Sequence, residues 1–549
     1  MIHIAFSVMN GERIEKDFQE GITPAEIAGM VPLSFEILAV RVNNIPQRLN
    51  APLTHDCELE LLDLRDNYAN MAYQSALSFL YIAAVHEVLG QQAHVVIANS
   101  LSKGLFTIVK SNYDDTDVEK IEALMRKWVE EDIPFEKLTD PEEFEKFFHN
   151  GRNHERMRLL KGSQGEEVAQ LYKFQDQIEM FYMELVPSAG YLSQFELRRY
   201  RSGILLRYPQ QSDPLHIPPY HEQKLLYGAF SEETNWEHVL HIDYAADLNE
   251  SMKERAKQVI MVCEALHEKK IAEIASEIVS RKKRIILIAG PSSSGKTSFA
   301  ERLCIQLQVC GAQPLYLGTD DYFVDRRDMK RDAKGKVDFE ALSAVDLDLF
   351  SSQMNALLEG KTVDLPKFNF ITGEKEYGSR MTSITADTPI VIEGIHALNP
   401  AMTIGIPDEE KFRIYISPLT SLNIDSHHRV PTTDARMLRR IIRDHRTRGR
   451  SAAQTIMDWP SVRSGEEKWI FPYNDTADVF FNSSLIYELC VLRKYAEPLL
   501  KEIPDTDPAY PEAQRMLDFL KFFITAQDDH WIANNSILRE FIGGSVLVD

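Results

Sequence analysis

The sequence has no apolar run that approaches the roughly 18 residues needed for a membrane-spanning helix. Its first residues, Met1-Ile2-His3-Ile4-Ala5-Phe6, lack the basic region and cleavable apolar core of a secretion signal, so we expect neither secretion nor a membrane span. Cysteine is scarce, and none of the five forms a C-x-x-C pair, which argues against a zinc site or a disulfide framework. The cysteines are Cys57, Cys263, Cys304, Cys310 and Cys490. Such a chain fits a reducing cytoplasm.

Positive charge is in deficit, because 61 lysines and arginines face 83 aspartates and glutamates, for a net charge of −22. This balance argues against broad, nonspecific binding of nucleic acid and leaves only local basic patches open. At 549 residues the chain is also too long for one core. Domains of about 100 to 200 residues predict several units, as in a multidomain soluble enzyme.

Changes in hydrophobic periodicity divide the chain into five expected segments. The boundaries fall where short β-like runs give way to helical spacing near Asn67, after a Pro-rich connector at 209–219, and around a strongly charged helical stretch. In chain order the segments are a small α+β module (1–65), an α+β domain (66–230), a helical connector (231–282), a doubly wound α/β domain with a parallel sheet (283–500) and a C-terminal helical extension (501–549).

The most informative stretch is G-x-x-x-x-G-K-T at 290–297, directly after the apolar run 284–289 and before a helical pattern. This is the setting that a phosphate-binding loop requires. Glycines let backbone N–H groups turn toward phosphates, and the helix that follows points its positive end at them. Lys296 is expected to reach the β- and γ-phosphates of ATP, and the Thr297 hydroxyl to hold Mg²⁺. The expected ATP-binding residues of the loop are Gly290, Pro291, Ser292, Ser293, Ser294, Gly295, Lys296, Thr297 and Ser298.

Two carboxylates, Asp320 and Asp321, follow the strand-like run 314–318. A carboxylate at the C-terminal end of a parallel strand faces the crevice in which open α/β sheets bind ligands. The segment 320–323 resembles the D-x-F-Y segment of uridine kinases and the wider phosphoribulokinase group. That resemblance implies that Asp320 accepts the proton of the substrate hydroxyl. Asp321 is expected to point elsewhere, although the spacing alone leaves an exchange of roles open.

Two further segments resemble the acceptor side of uridine kinases. The segment 335–340 is similar to the one that lies over the nucleoside, with Glu340 where the family often has Asp, and 366–370 is similar to the P-x-Y-D-F strand. Phe368 replaces the tyrosine and Asn369 the aspartate, so hydrogen bonds to a pyrimidine nucleoside are expected to be weakened while Phe368 and Phe370 keep a stacking surface. The identity of the acceptor therefore stays open.

The apolar run 389–392 ends in Glu393, an acid that is costly to bury without a cation. It resembles the family's V-x-x-E-G segment, which implies contact with Mg²⁺, directly or through water, or orientation of the acceptor.

Arginines crowd into one segment of this otherwise acidic chain. They are Arg436, Arg439, Arg440, Arg443, Arg446, Arg448 and Arg450. Guanidinium groups bind phosphate oxygens and stabilise the charge of phosphoryl transfer. The segment resembles the uridine kinase lid, which implies Arg443, Arg448 and Arg450 at the ATP phosphates, with Arg443 also catalytic, and Arg440 nearer the acceptor. His427-His428, just before it, is a candidate anion or metal site.

The N-terminal half resembles the front of threonyl-tRNA synthetases. Val42-Asn43-Asn44 and the runs 49–53 and 58–62 are similar to its ubiquitin-like TGS module. The runs 73–78 and 83–89, and later 186–192, are similar to its editing domain, whose H-x-x-x-H pair and later Cys and His are replaced here. The replacing residues are Gln74, Ser78, Phe181 and Leu185. We therefore expect a scaffold without editing chemistry, and RNA binding, self-association, ligand sensing or packing against the second half stay open as its role.

Together these features predict a cytoplasmic, ATP- and Mg²⁺-dependent kinase that phosphorylates the 5′-hydroxyl of a nucleoside or another small hydroxyl acceptor. The expected catalytic residues are Lys296, Asp320 and Arg443. Two alternatives stay open: a hydrolase of ATP or another phosphoanhydride, and a nucleotide-gated RNA-binding regulator. Homo-oligomerisation is also left open, and no membrane partner is expected.

Overall fold

The computed structural model describes residues 1–9, 11–149, 153–329, 338 and 340–548. Of the segment 335–340 that was expected to lie over the acceptor, only Asp338 and Glu340 fall within these residues. In the part of the chain so described, no helix is both long and apolar enough to cross a membrane.

The N-terminal module is a five-stranded sheet with one short helix packed beneath it. Thr23 caps this helix and Pro24 starts it, an arrangement that favours helix initiation at this point. The strand order is β2-β1-β5-β3-β4, with β1 and β5 parallel at the centre. Its elements are β1 (Ile2–Val8), β2 (Ile14–Phe18), α1 (Pro24–Ala28), β3 (Ile37–Val42), β4 (Ile45–Gln47) and β5 (Cys57–Asp63).

The second domain is built around one long buried helix, α2, and two antiparallel sheets, β10-β9-β8 and β11-β12-β7-β6. Most of α2 is buried because it lies between the N-terminal module and the sheets. Its elements are α2 (Asn67–Leu89), β6 (His94–Leu101), β7 (Gly104–Lys110), α3 (Asp115–Glu130), β8 (Glu136–Leu138), α4 (Pro141–His149), α5 (His154–Gly162), β9 (Gln170–Phe174), β10 (Gln177–Phe181), β11 (Glu196–Tyr200) and β12 (Gly203–Arg207).

A stretch without regular elements leads from β12 to three connecting helices, α6 (Lys224–Leu240), α7 (Ala245–Glu254) and α8 (Ala256–Ser280). The first of these helices crosses the domain boundary expected near residue 230. Ala229 and Phe230 of α6 pack into the same core as Phe106 of the second domain and Leu317 of the α/β domain. The connector therefore joins the two halves through shared apolar packing rather than as an exposed linker.

The α/β domain has a parallel sheet of order β14-β19-β13-β20-β23 with helices on both faces, which confirms the predicted doubly wound fold. The strand that precedes the phosphate loop, β13, lies at its centre and is fully buried. The elements are β13 (Ile285–Ala289), α9 (Lys296–Val309), β14 (Leu315–Gly318), α10 (Leu347–Leu358), β15 (Val363–Asp364), β16 (Lys367–Asn369), β17 (Glu374–Glu376), β18 (Met381–Thr382), β19 (Ile390–Glu393), β20 (Lys411–Ser417), β21 (Asn423–Asp425), β22 (His428–Arg429), α11 (Thr432–Arg448), α12 (Ala452–Trp469), β23 (Val479–Asn482) and α13 (Glu488–Lys501).

The C-terminal extension contains α14 (Tyr510–Leu520) and the short helix α15 (Arg539–Ile542). Helix α14 packs against α12 and α13, and its apolar face joins a core shared with the connecting helices. The last part of the extension returns to the α/β sheet, where Ile537 and Phe541 are fully buried with Phe299 of α9. The extension is thus part of the α/β domain's packing rather than a separate unit.

Candidate active site

The loop between β13 and α9 turns tightly over the C-terminal end of the central strand. A Cβ on Gly290 would collide with the carbonyl oxygen of Ile416, and Gly295 has φ +82°, a conformation that favours glycine. The first amides of α9 therefore face the cleft at the sheet edge with no partner inside the helix. Lys296 Nζ donates to the carbonyl of Pro291 at 3.3 Å. The arrangement suits an anion whose charge is met by backbone donors and one ammonium group.

Glu393 and Asp320 lie at the ends of two neighbouring strands, beside this loop. Glu393 ends β19 and is paired with Gly318 of β14, two residues before Asp320. Thr297 Oγ1 donates to Glu393 Oε2 at 3.4 Å, and the Tyr316 hydroxyl donates to the same oxygen at 3.2 Å. Desolvation raises the pKa of Glu393 to about 7 against the attraction of Lys296, and it also raises the pKa of Asp320. The cleft thus holds carboxylates that a cation would stabilise.

These residues fit Mg²⁺. A threonine hydroxyl beside a half-buried glutamate offers the oxygen ligands that Mg²⁺ prefers, and only one or two protein ligands are needed when phosphates supply the rest. Desolvation disfavours the charged form of Glu393 and raises its pKa, and a bound cation would offset that effect. Thr297 and Glu393 are therefore the candidate metal ligands.

Asp320 and Asp321 point to different partners. Asp321 Oδ2 accepts from Arg380 Nη1 at 2.6 Å, and its Oδ1 accepts from the Phe368 amide at 3.3 Å. The Asp320 side chain is exposed at the cleft, although the surrounding atoms partly desolvate its carboxylate. The positive charges of Lys296, Arg443 and Arg448 all act to lower its pKa against the rise that this desolvation causes. Asp320 is consequently the more exposed acid of the pair, whereas Asp321 is engaged by Arg380 and by the Phe368 amide.

The arginines of α11 divide between the loop, the core and the surface. Arg440 Nη1 donates to Ser292 Oγ at 2.8 Å, and Arg443 lies between Asp444 and Glu540, 3.7 Å from each. Arg448 is half exposed and donates to Asp444 at 3.1 Å, while Arg450 pairs with Asp458 of α12. Arg436 and Arg439 also reach the loop, because Arg436 Nε donates to the Ser292 carbonyl at 3.0 Å and Arg439 Nη1 donates to the Ser293 carbonyl at 3.4 Å. Three arginines therefore contact the loop directly, and Arg443 lies beside it through Glu540.

The expected acceptor residues form the outer wall of the cleft. Phe368 is buried, with its ring 5.7 Å from Phe323 and 5.2 Å from Phe370. Phe370 is 57% exposed at the tip of the β16–β17 hairpin. Asn369 caps that turn, because its Oδ1 accepts from the amides of the two residues that follow Phe370. Phe368 can thus serve as a packed support and Phe370 as a solvent-facing aromatic surface.

Glu340 completes the wall on the other side. It packs against α12 so closely that a Cβ on Gly465 would lie 2.7 Å from Glu340 Cβ. Desolvation raises the pKa of Glu340, and the charges of Arg440 and Lys296 oppose that rise. Glu340 is therefore within electrostatic reach of both Lys296 of the loop and Arg440.

Two contacts on the loop come from residues that the sequence reasoning missed. Glu466 of α12 accepts from the Ser292 amide at 3.0 Å and pairs with Arg436 and Arg463. Glu540 of α15 accepts from Ser298 Oγ at 2.8 Å. Because these acids lie 174 and 242 residues from their partners along the chain, no local pattern could have indicated them.

Residues 285–486 match the model of the Phosphoribulokinase / Uridine kinase family. The uridine kinase of Ligilactobacillus salivarius is 30% identical over 200 residues, which cover 36% of this chain and 84% of that enzyme. The chain belongs to the phosphoribulokinase and uridine kinase family. The uridine kinase of Staphylococcus aureus is 28% identical over 200 residues, covering 36% of this chain and 85% of the relative. We call 285–486 the kinase domain.

The solved structure titled as a possible uridine kinase from Bacillus stearothermophilus is 21% identical, with a TM-score of 0.27, and covers 39% of this chain and 97% of that one. The threonine–tRNA ligase of Thermotoga petrophila is 30% identical over 188 residues. These cover 33% of this chain but 29% of the ligase, so the chain spans less than a third of such ligases. The match confirms the predicted combination of a synthetase-like half with a uridine kinase-like half.

The site of the editing-like domain is filled. Phe181 and Leu185 are the residues that, by the resemblance, replace the later Cys and His of the editing domain. The Phe181 ring lies 5.3 Å from the Phe79 ring, and Leu185 is buried in the same core. Gln74 donates to Asn70 at 2.5 Å, and Ser78 is buried in α2. Two of the four replacing residues, Phe181 and Leu185, therefore lie in the apolar core, whereas Gln74 and Ser78 lie on α2.

His427 and His428 do not form the anion or metal site that the sequence suggested as a candidate. His427 Nδ1 lies 2.7 Å from Glu179 of β10, and His428 Nδ1 lies 2.8 Å from Asp425. Within the described residues, no group of three or more histidines, cysteines or acids is arranged to hold a metal. With Arg156 of α5, these residues form a buried charge network between the second domain and the kinase domain.

Proposed function

We propose that the kinase domain transfers the γ-phosphoryl group of ATP to the 5′-hydroxyl of a nucleoside. The observation that carries this proposal is the exposed Asp320 side chain at the end of β14, within electrostatic reach of Lys296, while its neighbour Asp321 is engaged by Arg380. A kinase needs a base within reach of the acceptor hydroxyl and of the γ-phosphate, and Asp320 is the residue that we propose for this role.

In the proposed step, the acceptor oxygen forms a bond to the γ-phosphorus as the bond from that phosphorus to the oxygen of the leaving ADP breaks. The hydroxyl proton passes to Asp320. Lys296 and Arg443 stabilise the negative charge that spreads over the transferring group. Thr297 and Glu393 would hold Mg²⁺, which when bound neutralises part of the phosphate charge. Arg440, Glu340 and the aromatic wall would orient the acceptor.

Support for a nucleoside acceptor comes from the relatives named uridine kinase and from the aromatic surface on the hairpin. An aromatic face recognises a base by stacking, and stacking tolerates different bases. Because Asn369 caps its own turn, it contributes little discrimination between bases. We therefore expect a kinase with modest base preference.

The test is ADP production from Mg·ATP across a panel of nucleosides, other hydroxyl acceptors and water. Stimulation by a nucleoside, with its 5′-monophosphate as product, is the expected result. Lys296→Ala should lower nucleoside-dependent turnover at least about 100-fold, because the ammonium group acts on the charge of the transition state. Equal phosphate release with and without every acceptor would contradict the kinase and support a hydrolase.

A second prediction concerns the metal. Glu393→Gln should raise the Mg²⁺ concentration for half-maximal activity about tenfold, because an amide attracts a cation less strongly than a carboxylate. Tyr316→Phe is the matched control, since it removes only the 3.2 Å hydrogen bond to Glu393 and keeps the charge. A Mg²⁺ titration of both variants distinguishes the roles. An unchanged requirement in Glu393→Gln would remove this residue from the metal site.

A further inference from the structure

The C-terminal segment, residues 530–548, lies over the phosphate loop. Ile537 contacts the loop so closely that a Cβ on Gly295 would collide with its Cγ2 atom. Leu538 and Phe541 are fully buried, and the Phe541 ring lies 5.0 Å from the Arg439 guanidinium. Arg446 donates to the carbonyl oxygen of Glu540 at 2.9 Å. The segment is thus held against both the loop and the arginine helix α11.

Glu540 directs its carboxylate into the N-terminal end of α9. Its Oε2 accepts from Ser298 Oγ at 2.8 Å and from the Ser298 amide at 3.4 Å. Its Oε1 lies 3.7 Å from Arg443 Nη1. Glu540 is 6% exposed, so this anion is enclosed rather than lying on the surface.

These partners are the donors that the loop would otherwise present to a phosphate. Ser298 is the third residue of α9, where backbone amides lack an intrahelical acceptor and the helix dipole favours negative charge. Arg443 belongs to the same expected phosphate-binding set. A carboxylate in this position uses a hydroxyl, an amide and a guanidinium, as a phosphate oxygen does. Carboxylate and phosphate therefore compete for one place.

The other acid on the loop is built differently. Glu466 is fully buried and has two arginine partners, Arg436 and Arg463. Removal of such an acid would leave buried positive charge uncompensated. Among the described residues, Glu540 has one ion-pair partner, Arg443 at 3.7 Å. Because Arg443 also lies 3.7 Å from Asp444, movement of the Glu540 carboxylate leaves less uncompensated charge than loss of Glu466 would. Glu540 is consequently the acid that an incoming anion can displace.

We propose that the C-terminal segment is an autoinhibitory plug in which Glu540 occupies a phosphate position of the nucleotide site. Nucleotide binding requires the carboxylate to leave Ser298, and whatever holds the segment away from the loop raises the affinity for nucleotide. This inference rests on the proposed function in one respect, namely that Mg·ATP is the ligand of this loop.

The experiment is calorimetric titration of the full chain with Mg·ATP. Glu540→Gln keeps the shape of the side chain and removes its charge, and it should lower the Kd for Mg·ATP about fivefold or more, within the range of ordinary coupling between sites. Asp528→Asn is the matched control. It removes one negative charge just before the segment, where Asp528 caps the His530 amide at the surface, and it should leave the Kd unchanged.

Hydrogen exchange gives an independent measurement on the unmodified chain. Saturating Mg·ATP should increase exchange in a peptide spanning 536–543, because the segment leaves the loop. Added protection of that peptide, or a Kd that is equal or higher in Glu540→Gln, would overturn the plug and leave the kinase proposal standing. If neither chain binds Mg·ATP, the plug and the proposed function both fail.

Discussion

Replacing Asp320 with asparagine is expected to lower kcat about 1000-fold, within the range of 10²- to 10⁴-fold that general base catalysis contributes. An amide cannot accept the proton of the attacking hydroxyl at neutral pH, whereas the phosphate loop and its lysine are untouched by the change. The KM for ATP should therefore stay close to that of the parent. Steady-state kinetics with the stimulating nucleoside measures both quantities.

Asp321→Asn is the matched control, because it makes the same chemical change at the next residue. Asp321 pairs with Arg380 and holds the Phe368 amide, so its replacement should change kcat by no more than a few fold and lower stability modestly. Losses of equal size in both variants would mean that the two acids act together or exchange roles. A larger loss in Asp321→Asn would assign the base to that residue.

Arg156→Met is expected to lower the free energy of unfolding by about 3 to 5 kcal/mol, because it removes the guanidinium that compensates two buried carboxylates and leaves them only their neighbouring histidines. Arg156 is 2% exposed and lies 3.0 Å from Glu179 and 3.6 Å from Asp425. The variant should also loosen the contact between the second domain and the kinase domain. Denaturant unfolding followed by tryptophan fluorescence measures the loss.

Arg158→Met supplies the control on the same helix. Arg158 is partly exposed and pairs with Asp247 and Glu250, so we expect a loss of roughly 1 kcal/mol or less. A similar loss in both variants would contradict the prediction that the buried network contributes more to stability than the exposed ion pairs do.

The same network predicts how stability responds to acid. Although desolvation acts in the opposite direction, Arg156 holds the pKa of Glu179 at about 2. Desolvation likewise opposes His428 and Arg156, which hold the pKa of Asp425 well below its usual range. Both carboxyls have folded pKa values below their unfolded values, so their contribution is present above about pH 4 and is lost as pH falls toward 2. When the pH falls from about 5 to about 3, the parent should therefore lose more stability than Arg156→Met does. This interval brackets the unfolded pKa values of the two carboxyls.

Much of the central site could be predicted because its signals are local. An apolar strand, a glycine loop and a helical start follow one another at 285–303, and each has a direct physical meaning. Asp320 and Glu393 could be expected together because both follow parallel strands whose C-terminal ends meet at one edge of the sheet. The prediction that editing chemistry is lost needs only the identities of the replacing residues, so it could be made from the sequence.

The partners of the arginines could not be predicted. Seven arginines within fifteen positions look alike in sequence, yet Arg439 is fully buried against Glu488 while Arg448 is half exposed. The difference arises from acids on α12, α13 and α15, whose packing depends on tertiary contacts. For the same reason the contact of Glu540 with the loop could not be predicted. The role of the histidine pair could not be predicted either, because Glu179, the partner of His427, lies 248 residues away in the chain.

The strand pair β21–β22 also bears on the order of folding. Asn423 of this pair donates to the carbonyl of Ile97, a residue 326 positions earlier in the chain. Contacts that close such long loops are entropically costly and form slowly. The sheet of the second domain and the parallel sheet are each completed by closer pairings, so we expect them to form before they dock. On this basis we expect docking, rather than formation of either sheet, to be the slowest step when the whole chain refolds.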